Sequence, residues 1–189
     1  MIRIGILGDI GSGKSYVARN FGYPVFNADI QVGRLYKKNK KIFNKLKKTL
    51  PTYFNSFPIK KDNVSEAILA NKNNLKKITK IIHSEIRKEM NFFLKKNKKK
   101  QFVILDIPLL LENKINNKDD ILVFVQSQKL EIMKRLKKRS NFNKKIFNKF
   151  KNLQLPLYYK KKKSHFIIKN NFTYQSVKKD IKYILGKIK

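Results

Sequence analysis

Gly8-Asp9-Ile10-Gly11-Ser12-Gly13-Lys14-Ser15 is the stretch of sequence that decides the fold. It matches the pattern G-x-x-x-x-G-K-[ST], in which the backbone N–H groups of a glycine-rich turn close around phosphate oxygens. Both flanks fit this pattern, because the apolar residues 2–7 predict a buried strand and residues 15–19 begin a helical pattern. The sequence therefore predicts a strand, a phosphate-binding loop and a helix, in that order.

The phosphate-binding loop predicts contacts to ATP and to magnesium. Lys14 is expected to reach the β- and γ-phosphates, and the Ser15 hydroxyl to bind Mg²⁺, which bridges the same phosphates. The residues expected to contact ATP are Gly8, Asp9, Ile10, Gly11, Ser12, Gly13, Lys14, Ser15 and Tyr16. The alternative is a glycine-rich turn without a ligand, and the complete motif between a strand and a helix argues against it.

Apolar runs alternate with helical patterns along the rest of the chain. Further strands are predicted at about residues 24–26, 102–106, 121–125 and 166–168. Strands that alternate with helices are typical of an α/β fold, so we predict a doubly wound, parallel, five-stranded sheet that binds ligands at the carboxyl ends of its strands. In that reading Asp29 lies at the end of the second strand, before a helix that starts at Ile30.

The length of 189 residues predicts a single domain, residues 1–189. Its core is expected at about 1–35 and 100–189. Residues of about 36–99 have helical patterns almost throughout, which is more than a simple crossover needs, so we interpret them as a subdomain that covers an acceptor molecule.

The chain is strongly basic, with 46 Lys+Arg against 12 Asp+Glu and a formal net charge of +34. This charge favours anionic ligands. The lysines are spread throughout rather than gathered on one segment, which argues against a nucleic-acid-binding protein. The chain has no cysteine, no apolar stretch long enough for a membrane helix and no signal-peptide pattern. We therefore expect a cytoplasmic protein.

A phosphate-binding loop does not by itself distinguish a kinase from a GTPase or a motor ATPase, so the acceptor side depends on other residues. Asp29 is the discriminating one, because a carboxylate at the edge of the sheet that carries the loop could take the proton of an acceptor hydroxyl. Asp29 could equally cap the helix that follows it. The residues alone leave both readings open.

Six further motifs follow in order along the chain and together resemble dephospho-CoA kinases. The motifs are Asn27-Ala28-Asp29, His83-Ser84-Glu85-Ile86-Arg87, Leu105-Asp106-Ile107-Pro108-Leu109-Leu110-Leu111-Glu112, Arg135 to Arg139, Gln154-Leu155-Pro156-Leu157-Tyr158-Tyr159-Lys160 and Phe166-Ile167-Ile168-Lys169-Asn170. The resemblance implies a sheet of the nucleoside monophosphate kinase type with a helical acceptor-binding insertion and a short lid at about 139–156. It also implies ATP-dependent phosphorylation of the ribose 3′-hydroxyl of dephospho-CoA, with Mg²⁺.

The resemblance also implies roles for single residues. Asp29 becomes the general base, Lys14 and the lid arginine Arg139 hold the transferring phosphates, and Asp106 holds Mg²⁺ through water. The residues assigned to the acceptor are His83, Arg87, Pro108, Leu109, Leu110 and Glu112. For His83, Arg87, Asp106 and Arg139 the alternative is a purely structural or solvated side chain.

The sequence departs from the family's pattern at Asp9, Tyr16, Asn27, Ser84 and His165. These departures affect the expected acceptor affinity and rate more than the identity of the reaction. Two other functions remain as alternatives: a kinase for another small acceptor, such as a nucleoside monophosphate or shikimate, and a basic nucleic-acid-binding NTPase. The oligomeric state is open, and a monomer is the expectation.

Overall fold

The structure is a computed structural model that describes residues 1–140 and 142–188. Five strands form one sheet, and every neighbouring pair is parallel. The strands are β1 (Ile2–Gly8), β2 (Val25–Asn27), β3 (Phe102–Asp106), β4 (Ile121–Gln126) and β5 (Phe166–Lys169), and their order across the sheet is β2-β3-β1-β4-β5. The predicted doubly wound parallel sheet is confirmed.

Helices connect the strands and complete the chain. Their bounds are α1 (Lys14–Asn20), α2 (Ala28–Lys38), α3 (Lys40–Thr49), α4 (Lys61–Ala70), α5 (Lys72–Lys96), α6 (Lys129–Lys137), α7 (Lys144–Lys151), α8 (Leu157–Lys162) and α9 (Tyr174–Lys187). Within residues 1–140 and 142–188, none of these helices combines the length and the apolar character that crossing a membrane requires.

The chain divides by packing into two compact units. The sheet unit consists of Met1–Asn27 and of the chain from Asn97 onward, and the helical unit is Ala28–Lys96. The helical unit starts earlier in the chain than the predicted boundary of about residue 36, because α2 packs with α3 and α5.

β1 lies at the centre of the sheet, and its residues alternate between two faces because side chains in a strand have a period of two. Ile4 and Ile6 are fully buried in the cluster that α1 and α9 complete. Gly5 lies on the opposite face, where a Cβ atom would come within 2.6 Å of the Leu110 side chain. The sheet is therefore covered on both faces, which explains why its strands are almost continuously apolar.

α5 is the centre of the helical unit, and α2, α3 and α4 all pack against it. Its buried apolar side chains recur every four residues, which is the spacing that places them on one face of a helix. They are Ile78, Ile82, Ile86 and Met90. Ile42 and Leu46 of α3 and Ala67 and Ile68 of α4 are buried in the same unit. The predicted helical character of this segment is confirmed.

Candidate active site

Polar residues and glycines lie where the strands of the sheet end. β1 ends at Gly8, β2 at Asn27 and β3 at Asp106, and Ser127 and Asn170 come directly after β4 and β5. Because all five strands are parallel, their carboxyl ends meet at one edge of the sheet, which is where α/β proteins bind ligands.

The phosphate-binding loop, Gly8–Ser15, has a backbone conformation that requires glycine at two tight contacts. Gly13 has a φ of 89°, and a Cβ atom there would lie 2.3 Å from Asn170 Nδ2. Gly8 has a φ of 147°, and its Cβ would lie 2.7 Å from the carbonyl oxygen of Val125. Both the left-handed conformation and the lack of space exclude a side chain. The spacing of the motif is thus a consequence of how the loop packs on β4 and on the segment after β5.

Two side chains to which the sequence analysis gave no role hydrogen-bond the backbone of the loop. The carbonyl oxygen of Ser12 accepts hydrogen bonds from Ser127 Oγ and from Asn170 Nδ2, both at 2.9 Å. Asn170 is buried, and its Oδ1 accepts from the backbone N–H of Phe172 at 2.9 Å. Ser127 and Asn170 each follow a strand directly, and that position in the sequence is the signal that could have identified them.

Lys14 lies across its own loop. Its ammonium donates to the carbonyl oxygens of Asp9 at 2.7 Å and of Gly8 at 3.2 Å. The Asp9 carboxylate accepts a hydrogen bond from the N–H of Ile10 at 2.7 Å. The aspartate at this position, which departs from the family's pattern, therefore makes a hydrogen bond within the loop. The first N–H groups of α1 have no partner within the helix and carry the positive end of its dipole. The ammonium and the helix start together favour a phosphate group.

The residues predicted to hold magnesium lie around one amide group. Asn27 Nδ2 hydrogen-bonds Asp106 Oδ2 and lies 3.5 Å from Ser15 Oγ. Hydroxyl and carboxylate oxygens are the ligands that Mg²⁺ prefers, and Asp106 is buried. Within the described part of the chain, no three His, Cys, Asp or Glu side chains form a metal-binding cluster. The donors fit a magnesium ion that is bound mainly by phosphates and water.

Asp29 lies in the first turn of α2, which begins at Ala28. The prediction that Asp29 ends the second strand is wrong, because β2 ends two residues earlier, at Asn27. The alternative that Asp29 caps a helix from Ile30 is also wrong, because α2 begins at Ala28 and Asp29 is itself helical. Its carboxylate is exposed, and its position near a helix N-terminus is favourable for a negative charge.

His83 and Arg87 lie on one face of α5, in the helical unit, because residues four apart are neighbours on a helix. Burial lowers the pKa of His83 below its ordinary value of 6.5, and the positive charge of Arg87 lowers this pKa further. Arg87 itself is exposed. This lowered pKa favours the neutral form of the His83 imidazole.

The segment Pro108–Glu112 lies directly after β3 and Ile107, in the sheet unit. Leu109 has a φ of 61°, in the left-handed region, and lies in a turn. Leu110 is buried against Gly5, so its side chain belongs to the core. Glu112 forms an ion pair with Lys160 of α8 at 2.6 Å. The prediction that this segment contacts the acceptor stays a prediction.

Arg139 lies in the bend after α6 and is exposed. The predicted lid, about 139–156, contains α7, and Asn141 within it lies outside the described residues. Arg135, one turn before Arg139, has its guanidinium 4.3 Å from the centre of the Phe172 ring. Tyr16 is partly buried against the core of the sheet unit.

Known proteins that resemble this chain share its fold and its length. Among solved structures, a crystal structure of TT1252 from Thermus thermophilus has a TM-score of 0.77 at 24% identity and covers 100% of this chain and 98% of its own. A dephospho-CoA kinase from Campylobacter jejuni has a TM-score of 0.62 at 20% identity, and the match covers 98% of this chain and 96% of that protein. These two likenesses support the fold.

Sequence comparisons go further than the fold. A dephospho-CoA kinase of Wolbachia pipientis wMel is 35% identical over 190 residues, which are 98% of this chain and 97% of that protein. The family model described as dephospho-CoA kinase matches residues 2–176. The match includes the phosphate-binding loop, Asp29 and the strand ends that converge at one edge of the sheet. The chain belongs to the dephospho-CoA kinase family.

Proposed function

We propose that Asp29 and the phosphate-binding loop carry out, in this chain, the reaction of its family: transfer of the γ-phosphoryl group of ATP to the 3′-hydroxyl of dephospho-CoA, which yields coenzyme A and ADP. The chain is a kinase of the dephospho-CoA kinase family. The observation that carries the assignment of roles is the sheet edge at which Asn27 contacts both Ser15 of the phosphate-binding loop and Asp106 at the end of β3.

The transfer makes one bond and breaks one. The acceptor oxygen bonds to the γ-phosphorus, the bond from that phosphorus to the β–γ bridging oxygen breaks, and ADP leaves with the electron pair. The hydroxyl proton passes to the Asp29 carboxylate. Lys14 and Arg139 balance the negative charge on the transferring oxygens, and Arg139 can form two parallel hydrogen bonds where a lysine acts as a point charge.

Magnesium, when bound, neutralises charge on the β- and γ-phosphates and orients them. Ser15 would bind the ion directly and Asp106 through water. Asn27 hydrogen-bonds the Asp106 carboxylate and thereby orients it. The Asn27 amide is neutral, so Asp29 is the sole carboxylate of the Asn27–Asp29 motif.

The acceptor in this proposal is dephospho-CoA. We assign His83, Arg87, Pro108 and Leu109 to contacts with it, and we assign to Leu110 and Glu112, whose side chains are buried, a role in shaping the same loop. His83 supports this assignment because a neutral imidazole can both donate and accept a hydrogen bond. Arg87 supports it because an exposed guanidinium matches the phosphates of dephospho-CoA.

The substitution Asp29→Asn tests the assignment of the base. Removal of the proton acceptor should lower kcat by about 10²–10⁴-fold, with the affinity for ATP unchanged. Turnover is measured as coenzyme A formed from dephospho-CoA and ATP, and ATP affinity by calorimetry. Asp62→Asn is the matched control, because Asp62 is also an exposed acid in the first turn of a helix of the helical unit. Normal turnover of Asp29→Asn would refute the role of Asp29.

A panel of acceptors tests the substrate. Dephospho-CoA should be phosphorylated far faster than nucleoside monophosphates or shikimate, and nucleic acid should leave ATP hydrolysis unchanged. Faster turnover of another small acceptor would reassign the substrate. ATP hydrolysis that rises with nucleic acid and falls steeply with salt would instead support a nucleic-acid-binding NTPase.

We also place the reaction in the cytoplasm and expect the monomer to be active. The lack of cysteine agrees with a reducing compartment. Cell fractionation tests the location, and sedimentation of the active enzyme tests the monomer.

A further inference from the structure

Lys160 differs from the basic residues around it. Among the residues that the structure describes, it is the one Lys or Arg that is buried, whereas its neighbours Lys161 and Lys162 on α8 are exposed. A buried ammonium is unfavourable unless it is paired, because it loses its hydration. The general enrichment in lysine, which supplies solvated side chains, does not explain a lysine at this position.

The partner of Lys160 is Glu112. Lys160 Nζ lies 2.6 Å from Glu112 Oε1, and the exposed fractions of the two side chains are 3% and 9%. The same carboxylate oxygen accepts from the N–H of Leu155 at 3.0 Å. Glu112 Oε2 is buried and has no hydrogen-bond partner among the described residues. One oxygen of Glu112 is therefore fully used by Leu155 and Lys160.

These contacts join two segments of the sheet unit that are distant in sequence. One is the loop after β3, which turns at Leu109 and is closed by a 3.1 Å hydrogen bond from Ile115 N–H to the Leu110 carbonyl. The other is the stretch from Leu155 to α8, which follows the predicted lid. Glu112 is the residue through which Leu155 and Lys160 contact the loop after β3.

We propose that Lys160 is a positioning residue: through its buried ion pair with Glu112 it holds the loop Pro108–Glu112 in the conformation that the acceptor requires. Lys160 does not touch the reacting atoms in this role. The inference rests on the proposed function, because that function assigns Pro108–Glu112 to the acceptor. It predicts that loss of Lys160 affects dephospho-CoA and spares ATP.

The test compares Lys160→Met with the matched control Lys162→Met, which makes the same change at an exposed position of α8. Lys160→Met should lower kcat/KM for dephospho-CoA roughly 10–100-fold, because small displacements of positioning groups have effects of this size. The KM for ATP should stay within about twofold. Lys162→Met should resemble the wild type in both. Kinetics are measured well below the melting temperature of every variant.

A double variant separates positioning from folding. Lys160→Met leaves the Glu112 carboxylate buried without its countercharge, so this variant should melt at a lower temperature. Glu112→Gln combined with Lys160→Met removes both charges and should regain most of the lost melting temperature. It should not regain the kcat/KM for dephospho-CoA, because the ion pair is still absent. Lys160→Arg keeps the positive charge, so it should retain more of the kcat/KM for dephospho-CoA than Lys160→Met does.

Amide hydrogen exchange gives a readout that does not depend on the acceptor. Exchange at residues 109–115 and at Leu155 should be faster in Lys160→Met than in Lys162→Met, and the loop Gly8–Ser15 should be unchanged. A wild type that forms coenzyme A, together with a Lys160→Met variant whose kinetic constants are unchanged, would overturn the role of Lys160 alone. A wild type that does not phosphorylate dephospho-CoA would overturn the proposed function and this role with it.

Discussion

Two helices of this protein have almost the same sequence and very different surroundings. The first eight residues of α3 lie in the segment Asn39-Lys40-Lys41-Ile42-Phe43-Asn44-Lys45-Leu46-Lys47, and the whole of α7 lies in Asn143-Lys144-Lys145-Ile146-Phe147-Asn148-Lys149-Phe150-Lys151. The two segments differ only at Leu46 and Phe150. α3 belongs to the helical unit, and α7 lies in the predicted lid of the sheet unit.

The local structure of the two segments is the same. Asn39 Oδ1 accepts from the N–H of Ile42 at 3.0 Å, and Asn143 Oδ1 accepts from the N–H of Ile146 at 3.1 Å. Each helix begins at the residue after its asparagine. Residues within a few positions of one another are therefore sufficient to start these helices, as is usual for an N-cap asparagine.

The burial of the two segments differs. Ile42 and Leu46 of α3 are buried, Leu46 completely. None of the residues of α7 is buried, and Phe150 is 36% exposed. The same apolar face is thus part of a core in one place and a partly uncovered surface in the other. The comparison shows that an amphipathic pattern predicts a helix with one apolar face but does not predict what covers that face.

The largest effect on the free energy of unfolding is expected from alanine substitutions at Leu46 and Phe150, the one position at which the two segments differ. Leu46→Ala should lower the free energy of unfolding by about 2–5 kcal/mol, because it leaves a cavity in a packed core. Phe150→Ala should lower it by less than about 1 kcal/mol, since surface substitutions have small effects. Urea denaturation followed by circular dichroism measures both. Equal losses would show that α7 is as well packed as α3.

A smaller effect is expected from removal of the caps. Asn39→Ala and Asn143→Ala each remove one hydrogen bond, worth about 1 kcal/mol to a helix. Asn39→Ala should lower the global free energy of unfolding, because α3 is part of a core. Asn143→Ala should mainly speed amide exchange within α7, because an uncovered helix opens locally.

Asn44→Ala and Asn148→Ala are the controls for the caps, since they make the same change inside the helices. Alanine favours a helix interior more than asparagine does, so neither substitution should destabilise its helix. A global destabilisation by Asn143→Ala that matches Asn39→Ala would contradict the difference between the two helices.

The smallest effect is expected on the pH dependence of stability, through His83 in the unit that contains α3. The pKa of His83 is lowered from 6.5, first by burial and then by Arg87. Below about pH 6.5 the unfolded chain therefore binds more protons at this residue than the folded chain, and stability falls as the pH falls. Thermal melting of the wild type should decline more between pH 7.5 and 5.5 than that of His83→Gln. An equal decline would refute this contribution.

The sequence was sufficient for the features that depend on neighbouring residues. The glycines and Lys14 predicted the phosphate-binding loop, and the apolar runs predicted the five parallel strands that carry it to one edge of the sheet. The start of α2 was placed two residues too late, because Ala28 and Asp29 carry no apolar signal that separates the end of a strand from the first turn of a helix.

Contacts between distant residues could not be read from the sequence. Asn170 hydrogen-bonds Ser12, and Lys160 is buried with Glu112, yet each of Asn170 and Lys160 is followed in the sequence by a residue of its own type. Composition hides such residues because one buried lysine looks like its many solvated neighbours.

The sequence by itself determined which segments form the five strands and which turn has the glycine pattern of a phosphate-binding loop, because turns and apolar periods act over a few residues. The tertiary structure alone decided that α3 is covered and α7 is not, and that Lys160 rather than Lys162 is buried. Burial depends on which distant segments fold onto a side chain, and that information is carried by the whole chain rather than by any one segment.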